Sequence, residues 1–209
     1  MPSKVEGARR RPSQERAKAT RDRILDTAAR LFGQRGIAAT STNRIAAEAG
    51  VSIGTVYRYF SDRAVMVDEL LERMLGDIEA RFVQRVLDRP DEPFAETMRA
   101  VLEVVAEDLV ARAGLVRALV AGLQYYSSGL PEFEPRLRGV VKTLLIRTLG
   151  PGDDHTYEVM SLVVLNTSFA AVVRVAVSDM DPHQRAEALD MTARVLAALL
   201  VSESTAIAG

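Results

Sequence analysis

The stretch from Ser41 to Arg63, STNRIAAEAGVSIGTVYRYFSDR, constrains the rest of the chain most tightly. Apolar residues fall at Ile45, Ala49, Val51, Val56 and Tyr59, and Gly50 separates two short groups of them. Ile45 and Ala49 lie one turn apart on a single helix face, and Val56, Tyr59 and Phe60 form the matching face of a second helix. Ala46 sits where the two would cross, where a larger side chain would push them apart. Gly50 suits the corner because a left-handed φ costs glycine nothing. Ser52 is then expected to cap the second helix, its hydroxyl accepting from a backbone N–H near Thr55. Two short helices about such a corner form a helix-turn-helix, whose second helix is shaped to enter a DNA major groove.

The residues left outside agree with that use. Ile53, Gly54, Thr55, Tyr57 and Arg58 remain once the inner face is assigned, and a merely solvated surface has little need of Ile and Tyr. Short or flat groups near the N-terminus of a recognition helix touch bases, and phosphate partners flank them. Ser52, Ile53, Gly54, Thr55 and Arg58 are therefore the base-side candidates. Ser41, Thr42 and Asn43 at the start of the first motif helix, with Tyr57, Tyr59 and Arg63, are the phosphate-side ones. The run AGVSIGTVYRYFSDRAVMV resembles the signature of the TetR-type one-component repressors (TetR/AcrR type), an Ala-Gly-Val-Ser-x-Gly-Thr-hydrophobic-Tyr-x-His/Tyr-Phe sequence followed three residues later by a basic residue. The resemblance covers roughly Thr20 to Val67; elsewhere it is one of length and helical layout. At position 63 the family usually carries lysine; arginine is also cationic, but its phosphate geometry differs.

Charge is divided in the same sense. Residues 1–63 hold 13 Lys and Arg against 6 Asp and Glu, whereas residues 64–209 hold 14 against 22. The basic end coincides with the helix-turn-helix, as contact with a polyanion requires. The chain has no cysteine, which removes disulfide and thiolate chemistry, and its polar, basic start does not resemble a secretory signal, so a cytoplasmic setting is expected.

Three domains are expected: a basic disordered arm over 1–19, a helix-turn-helix DNA-binding domain over 20–63, and a helical ligand-binding and dimerisation domain over 64–209. The arm lacks apolar periodicity and carries Arg9, Arg10 and Arg11, which suit phosphate or minor-groove contacts. Thr20 or Asp22 is expected to open a helix whose face is Ile24, Leu25, Ala28, Leu31 and Phe32. Asp62 or Ser61 caps a fourth helix, reaching Leu87, that starts in one domain and ends in the next. A fifth follows Pro93, a sixth begins near Gly114, and a seventh runs from Pro131 to Leu149 before the Gly150-Pro151-Gly152 stop. Asp153 or Asp154 caps the eighth, and Asp181-Pro182 opens the ninth, expected to fray after about Ser202. The fold class is thus all-α, with about nine helices.

Between Glu158 and Arg174 no residue is charged and apolar side chains occur on every face. The run is shorter than the ~20 predominantly apolar residues of a membrane span, and it contains Ser161, Asn166, Thr167 and Ser168. A helix apolar all round is buried all round, which a small domain achieves most simply by packing one side on itself and the other on a second copy. The ninth helix adds Ala188, Leu189, Met191, Val195, Leu196, Leu199 and Leu200 toward that seam, and the resemblance implies a four-helix dimer interface.

Enzyme chemistry is not expected. His155 and Glu158 are one turn apart but lack a third ligand at suitable spacing, so no metal and no cofactor is assigned, and no nucleophile has a partnering base. A cavity among the fourth to eighth helices is expected to be lined by Met66, Met74, Phe82, Met98, Leu102, Leu119, Leu123, Met160 and Phe169. Tyr125, Tyr126 and Asn166 supply the polar groups that orient a mostly apolar ligand. The expected function is a homodimeric, sequence-specific transcriptional regulator, a repressor released from palindromic double-stranded DNA by a small apolar effector. Two alternatives stay open: a constitutive DNA-binding protein with a dimerising C-terminal scaffold, and a small-molecule-modifying enzyme on a borrowed scaffold.

Overall fold

The computed structural model describes residues 6–89, 91–126 and 133–207, with side chains over 14–89, 91–122 and 135–202. Among these residues the chain is all helical: α1 (Glu6–Arg35), α2 (Thr42–Ala49), α3 (Ile53–Tyr59), α4 (Arg63–Asp88), α5 (Phe94–Ala111), α6 (Ala113–Tyr126), α7 (Phe133–Leu149), α8 (Asp154–Val177) and α9 (Pro182–Ile207). The starts of α4 and α8 follow expected caps. Asp62 Oδ1 accepts from Val65 N at 3.1 Å, and Asp153 accepts from Thr156 N at 2.8 Å.

Two compact units form. The first takes the described residues up to Leu71 together with Arg117–Tyr126; the second takes Glu72–Val116 and the residues from Phe133 onward. The division after Leu71 falls later than the expected boundary at residue 63. Its cause is burial: Met66 and Val67, in the first turns of α4, have no exposed surface and complete the core made by Ile24, Leu25, Phe32, Ile45, Val56 and Phe60. A three-helix unit alone is too small to bury these side chains well.

The arm expected to be disordered over 1–19 is helical from Glu6, so α1 starts well ahead of Thr20. Its side chains from Gln14 to Ala19 are exposed or half-buried. No apolar stripe announces such an extension; Ala, Arg, Glu and Lys favour a helix over residues 15–19, whereas Gly7 and Pro12 oppose one, so no local rule accounts for its reach to Glu6.

In the second unit α8 is the central element and packs on α5, α7 and α9. Tyr157, Met160, Val164, Leu165, Val172 and Val175 are buried, whereas Val159, Leu162 and Val163 are exposed. α8 is long and apolar enough to cross a bilayer by length and composition, but its inward face supplies much of this unit's core. The ninth helix splits the same way, with Leu189, Ala193, Leu196 and Leu200 inside and Met191 and Val195 outside. Lys142 ties α7 to α8, with Nζ 2.7 Å from Asp154 and 2.6 Å from Glu158.

The turn into α8 depends on a missing side chain. Tyr157 is 2% exposed and its OH donates to the Gly150 carbonyl at 2.6 Å. A Cβ on Gly152 would stand 3.0 Å from that oxygen and 3.1 Å from the ring. The ring is buried and tied by its hydroxyl to Gly150, which limits its retreat. Gly152→Ala is expected to destabilise the protein by about 1–3 kcal/mol through overpacking, read as a lower urea midpoint at unchanged m-value.

Candidate nucleic-acid interface

The reading surface is built from α2, the corner and α3. Ser41 caps α2, accepting from Arg44 N at 3.2 Å. Gly50 ends it at φ 65°, ψ 38°, and Val51 N donates to Ala46 O at 3.0 Å. Ser52 caps α3, its Oγ accepting from Thr55 N at 3.1 Å and lying 2.9 Å from Thr55 Oγ1. Ile45, Ala46, Ala49, Val56 and Phe60 are buried between the helices, so the outward set is decided by helical geometry. Ile53 is 36% and Tyr57 54% exposed. Gly54 and Arg58 are exposed, Thr55 and Tyr59 half-buried.

Tyr57 and Thr42 join the two helices on their outer side, with OH and Oγ1 3.3 Å apart. The Arg58 guanidinium lies over the Tyr59 ring, 5.1 Å from its centroid, which holds the cation along the helix surface. Ser41, Thr42, Tyr57 and Arg63 share one open cleft beside the start of α2, with Asp62 on its rim. Asn43 and Ser52 are exposed outside that cleft.

Residues 24–70 match the family model for bacterial regulatory proteins of the tetR family. That segment contains the whole reading surface. The N-terminal domain belongs to the tetR family. The chain is 35% identical over 96 residues to the HTH-type transcriptional regulator AcrR of Shigella flexneri, covering 44% of this chain and 45% of that protein. It is 31% identical over 115 residues to an HTH-type transcriptional regulator of Staphylococcus aureus, covering 54% of this chain and 61% of the relative. The matches thus span about half the length of these curated relatives. Over the described fold the likeness is wider. A tetR-family transcriptional regulator from Streptomyces coelicolor aligns at TM-score 0.70 and 20% identity over 90% of this chain and 83% of that one. NalD, the secondary repressor of the MexAB-OprM multidrug efflux pump in Pseudomonas aeruginosa, aligns at TM-score 0.56 and 21% identity over 87% and 97%.

Within this tetR-family domain Arg63 has a structural role that the sequence reading did not assign. Besides lining that cleft, its Nη1 donates to the carbonyls of Ile37, Ala38 and Thr40 at 2.9, 3.1 and 3.0 Å. The turn between α1 and α2 leaves those carbonyls outside any helix, and one guanidinium nitrogen placed among them gives all three a shared donor. Thr40, fully buried, adds a bond to Gly36 O at 2.8 Å. Arg63 is therefore a positioning residue for the start of α2.

Other supports have no local sequence signal. Arg21 of α1 bonds Glu69 of α4 through both nitrogens and lies 5.0 Å from the Phe60 ring centroid. Glu48 of α2 receives Arg30 of α1 and Arg44 of its own helix. These partners are 48 and 18 residues apart in the chain, so only folding reveals them.

The ligand candidates are dispersed. Phe82, Leu102 and Phe169 line an apolar cavity of about 40 Å³ in the second unit. Met74, Met98 and Met160 are buried in that unit away from its walls, and Met66 and Leu119 are buried in the first unit. Asn166 is a correction: it is exposed on α8, and its Nδ2 donates to Leu162 O at 2.9 Å, because the face that carries it points away from the cavity. The side chains of Leu123, Tyr125 and Tyr126 lie outside the described residues. Among the described residues no cluster of three or more metal-ligating side chains forms.

The Arg30 guanidinium bonded to Glu48 holds its carboxyl below the ordinary 4.5, outweighing the opposing effect of burial, and Arg44 adds to the pull. A lowered folded value means stability that is present above the ordinary value and lost as pH falls through the lowered one. Glu48→Gln is expected to flatten that part of the acid limb, measured as the difference in urea midpoint between variant and wild type from pH 6 downward.

Proposed function

We propose that the protein is a homodimeric, sequence-specific DNA-binding transcriptional regulator of the cytoplasm, a repressor released from a palindromic operator by a small, mostly apolar ligand. The observation that carries the reading is the division of α3: Val56 and the following Phe60 have no exposed surface, while Ile53, Gly54, Tyr57 and Arg58 face outward from a capped, positioned helix. Packing accounts for the first pair and leaves the second set for another molecule. The basic balance of residues 1–63 gives that molecule its sign. NalD supports the repressor sense, since it is described as a secondary repressor of an efflux pump.

In this reading Ser52, Ile53, Gly54, Thr55 and Arg58 face base edges, and Ser41, Thr42, Asn43, Tyr57 and Tyr59 face phosphates. Thr42 and Tyr57 already hold each other's hydroxyls at contact distance, which presets them for a shared phosphate. Arg63 serves the same surface by holding the turn before α2. A two-fold dimer then engages two half-sites whose centres lie ~34–36 Å apart, or a wider multiple.

Exposed apolar side chains support the dimer. Val159, Leu162 and Val163 on α8 and Met191 and Val195 on α9 recur at helical spacing on two helices that pack together. Monomeric proteins seldom present so continuous an apolar face. Release follows from α4, which belongs to both units. A ligand that widens the cavity presses on Ile78 and Phe82 of that helix, and a shift carried to its first turns alters the spacing of the two reading helices.

Arg58→Ala and Tyr57→Ala are each expected to weaken binding to a selected operator by about tenfold or more, with the sedimentation coefficient of the free protein unchanged. Fluorescence anisotropy at two salt concentrations reads the effect, and unaltered affinity in both variants refutes the assignment of α3. Val163→Glu is expected to convert the dimer to monomer in sedimentation velocity. Val120→Glu, at an equally exposed apolar site on α6, is expected to leave it dimeric.

A further inference from the structure

Two polar side chains in the middle of α8, Ser161 and Asn166, find their partners on the helix itself. Ser161 Oγ donates to Tyr157 O at 2.6 Å, and Asn166 Nδ2 donates to Leu162 O at 2.9 Å. Bonding to the carbonyl one turn back is the ordinary solution for a helical hydroxyl. Ser168 departs from it. Its Oγ is inaccessible to solvent and has no hydrogen-bond partner among the described residues, although the Val164 carbonyl is one turn away. A buried hydroxyl left unpaired is unfavourable, and such a group calls for a specific explanation.

Its surroundings show where the hydroxyl is spent. Ser168 lines the 40 Å³ cavity, and the other eleven lining residues, Phe82, Leu102 and Phe169 among them, are all apolar. One polar atom in such a wall cannot serve a charged or many-hydroxyl ligand, whose remaining groups would lose water without replacement. It suits an apolar molecule with a single hydroxyl or carbonyl. The volume is close to that of one or two heavy atoms, so any larger ligand enters by displacing the rings of Phe82 and Phe169, the largest groups on the wall.

We propose that Ser168 is the specificity residue of this cavity, selecting small apolar molecules that carry one hydrogen-bonding oxygen over hydrocarbons of the same size. The proposal rests on the reading of the second unit as the effector-binding one, and it adds the chemistry of the ligand and the atom that recognises it.

Phenol and toluene, which differ by OH against CH3, test it on the full-length protein. Each is titrated while the methyl resonances of Ile78 and Leu102 are followed by NMR, in wild type and in Ser168→Ala. The variant loses only an unpaired hydroxyl and is expected to fold with an undiminished melting temperature. The preference for phenol over toluene is expected to fall about tenfold in Ser168→Ala, the value of one hydrogen bond in a site without competing water, with toluene affinity unchanged. A preference that survives the substitution, a wild-type preference for toluene, or methyl resonances that respond to neither compound would each overturn the assignment. A parallel operator-release assay separates the two readings. Ser168-dependent phenol binding without any release sinks the repressor mechanism and leaves the site standing. Release by phenol that is the same in Ser168→Ala sinks the site and leaves the mechanism.

Discussion

Two helices of eight and seven residues are too short to persist in water by themselves, and everything the N-terminal unit presents depends on what holds them. The holding interaction is the burial of Val56 and Phe60 against Ile45, Ala46 and Ala49, with no exposed surface on Val56, Phe60 or Ile45. That contact orients α3 as a whole. Once Val56 is inside, the 100° step between residues turns Tyr57 and Arg58 out. Caps at Ser41 and Ser52 satisfy the amides that short helices cannot satisfy internally, and the αL corner at Gly50 joins the two without strain.

Around that contact the polar interactions act chiefly as guides. The Arg30–Glu48 pair is substantially exposed, and exposed pairs contribute little to stability, typically under ~1 kcal/mol. What the pair does is join α1 to α2 at one place. Arg63 does the same for the turn between α1 and α2 through three carbonyls. The three acceptors converge on one nitrogen of the side chain, so the start of α2 is fixed at a single point.

The second unit solves a different problem. α8 is apolar on every side, yet one helix in a small unit can bury only part of its circumference. Its inward face forms the core with α5, α7 and α9, and Val159, Leu162 and Val163 remain outside. Near Ser168 the same packing leaves a small apolar cavity with one unpaired hydroxyl. A single helix thereby carries the core, the exposed stripe and the cavity wall, and its uncharged run of residues is where those three demands coincide.

Local chemistry was legible in the sequence by itself: the corner at Gly50, the cap at Ser52, those of α4 and α8 to within one residue, the buried and outward faces of α3, and the order of the helices among the described residues. Each of these follows from spacing within a turn or two or from the backbone preference of one residue. Tertiary structure alone decided the rest. The helical start at Glu6 has no signal in apolar spacing, and Gly7 and Pro12 oppose it in propensity. The clamp that Arg63 makes was not legible because its acceptors lie 23 to 26 residues away. Asn166 fell outside the cavity and Ser168 inside it, although both sit in one uncharged run, because an α-helix two residues on points about 200° round and only the packing of α8 against its neighbours says which direction is in.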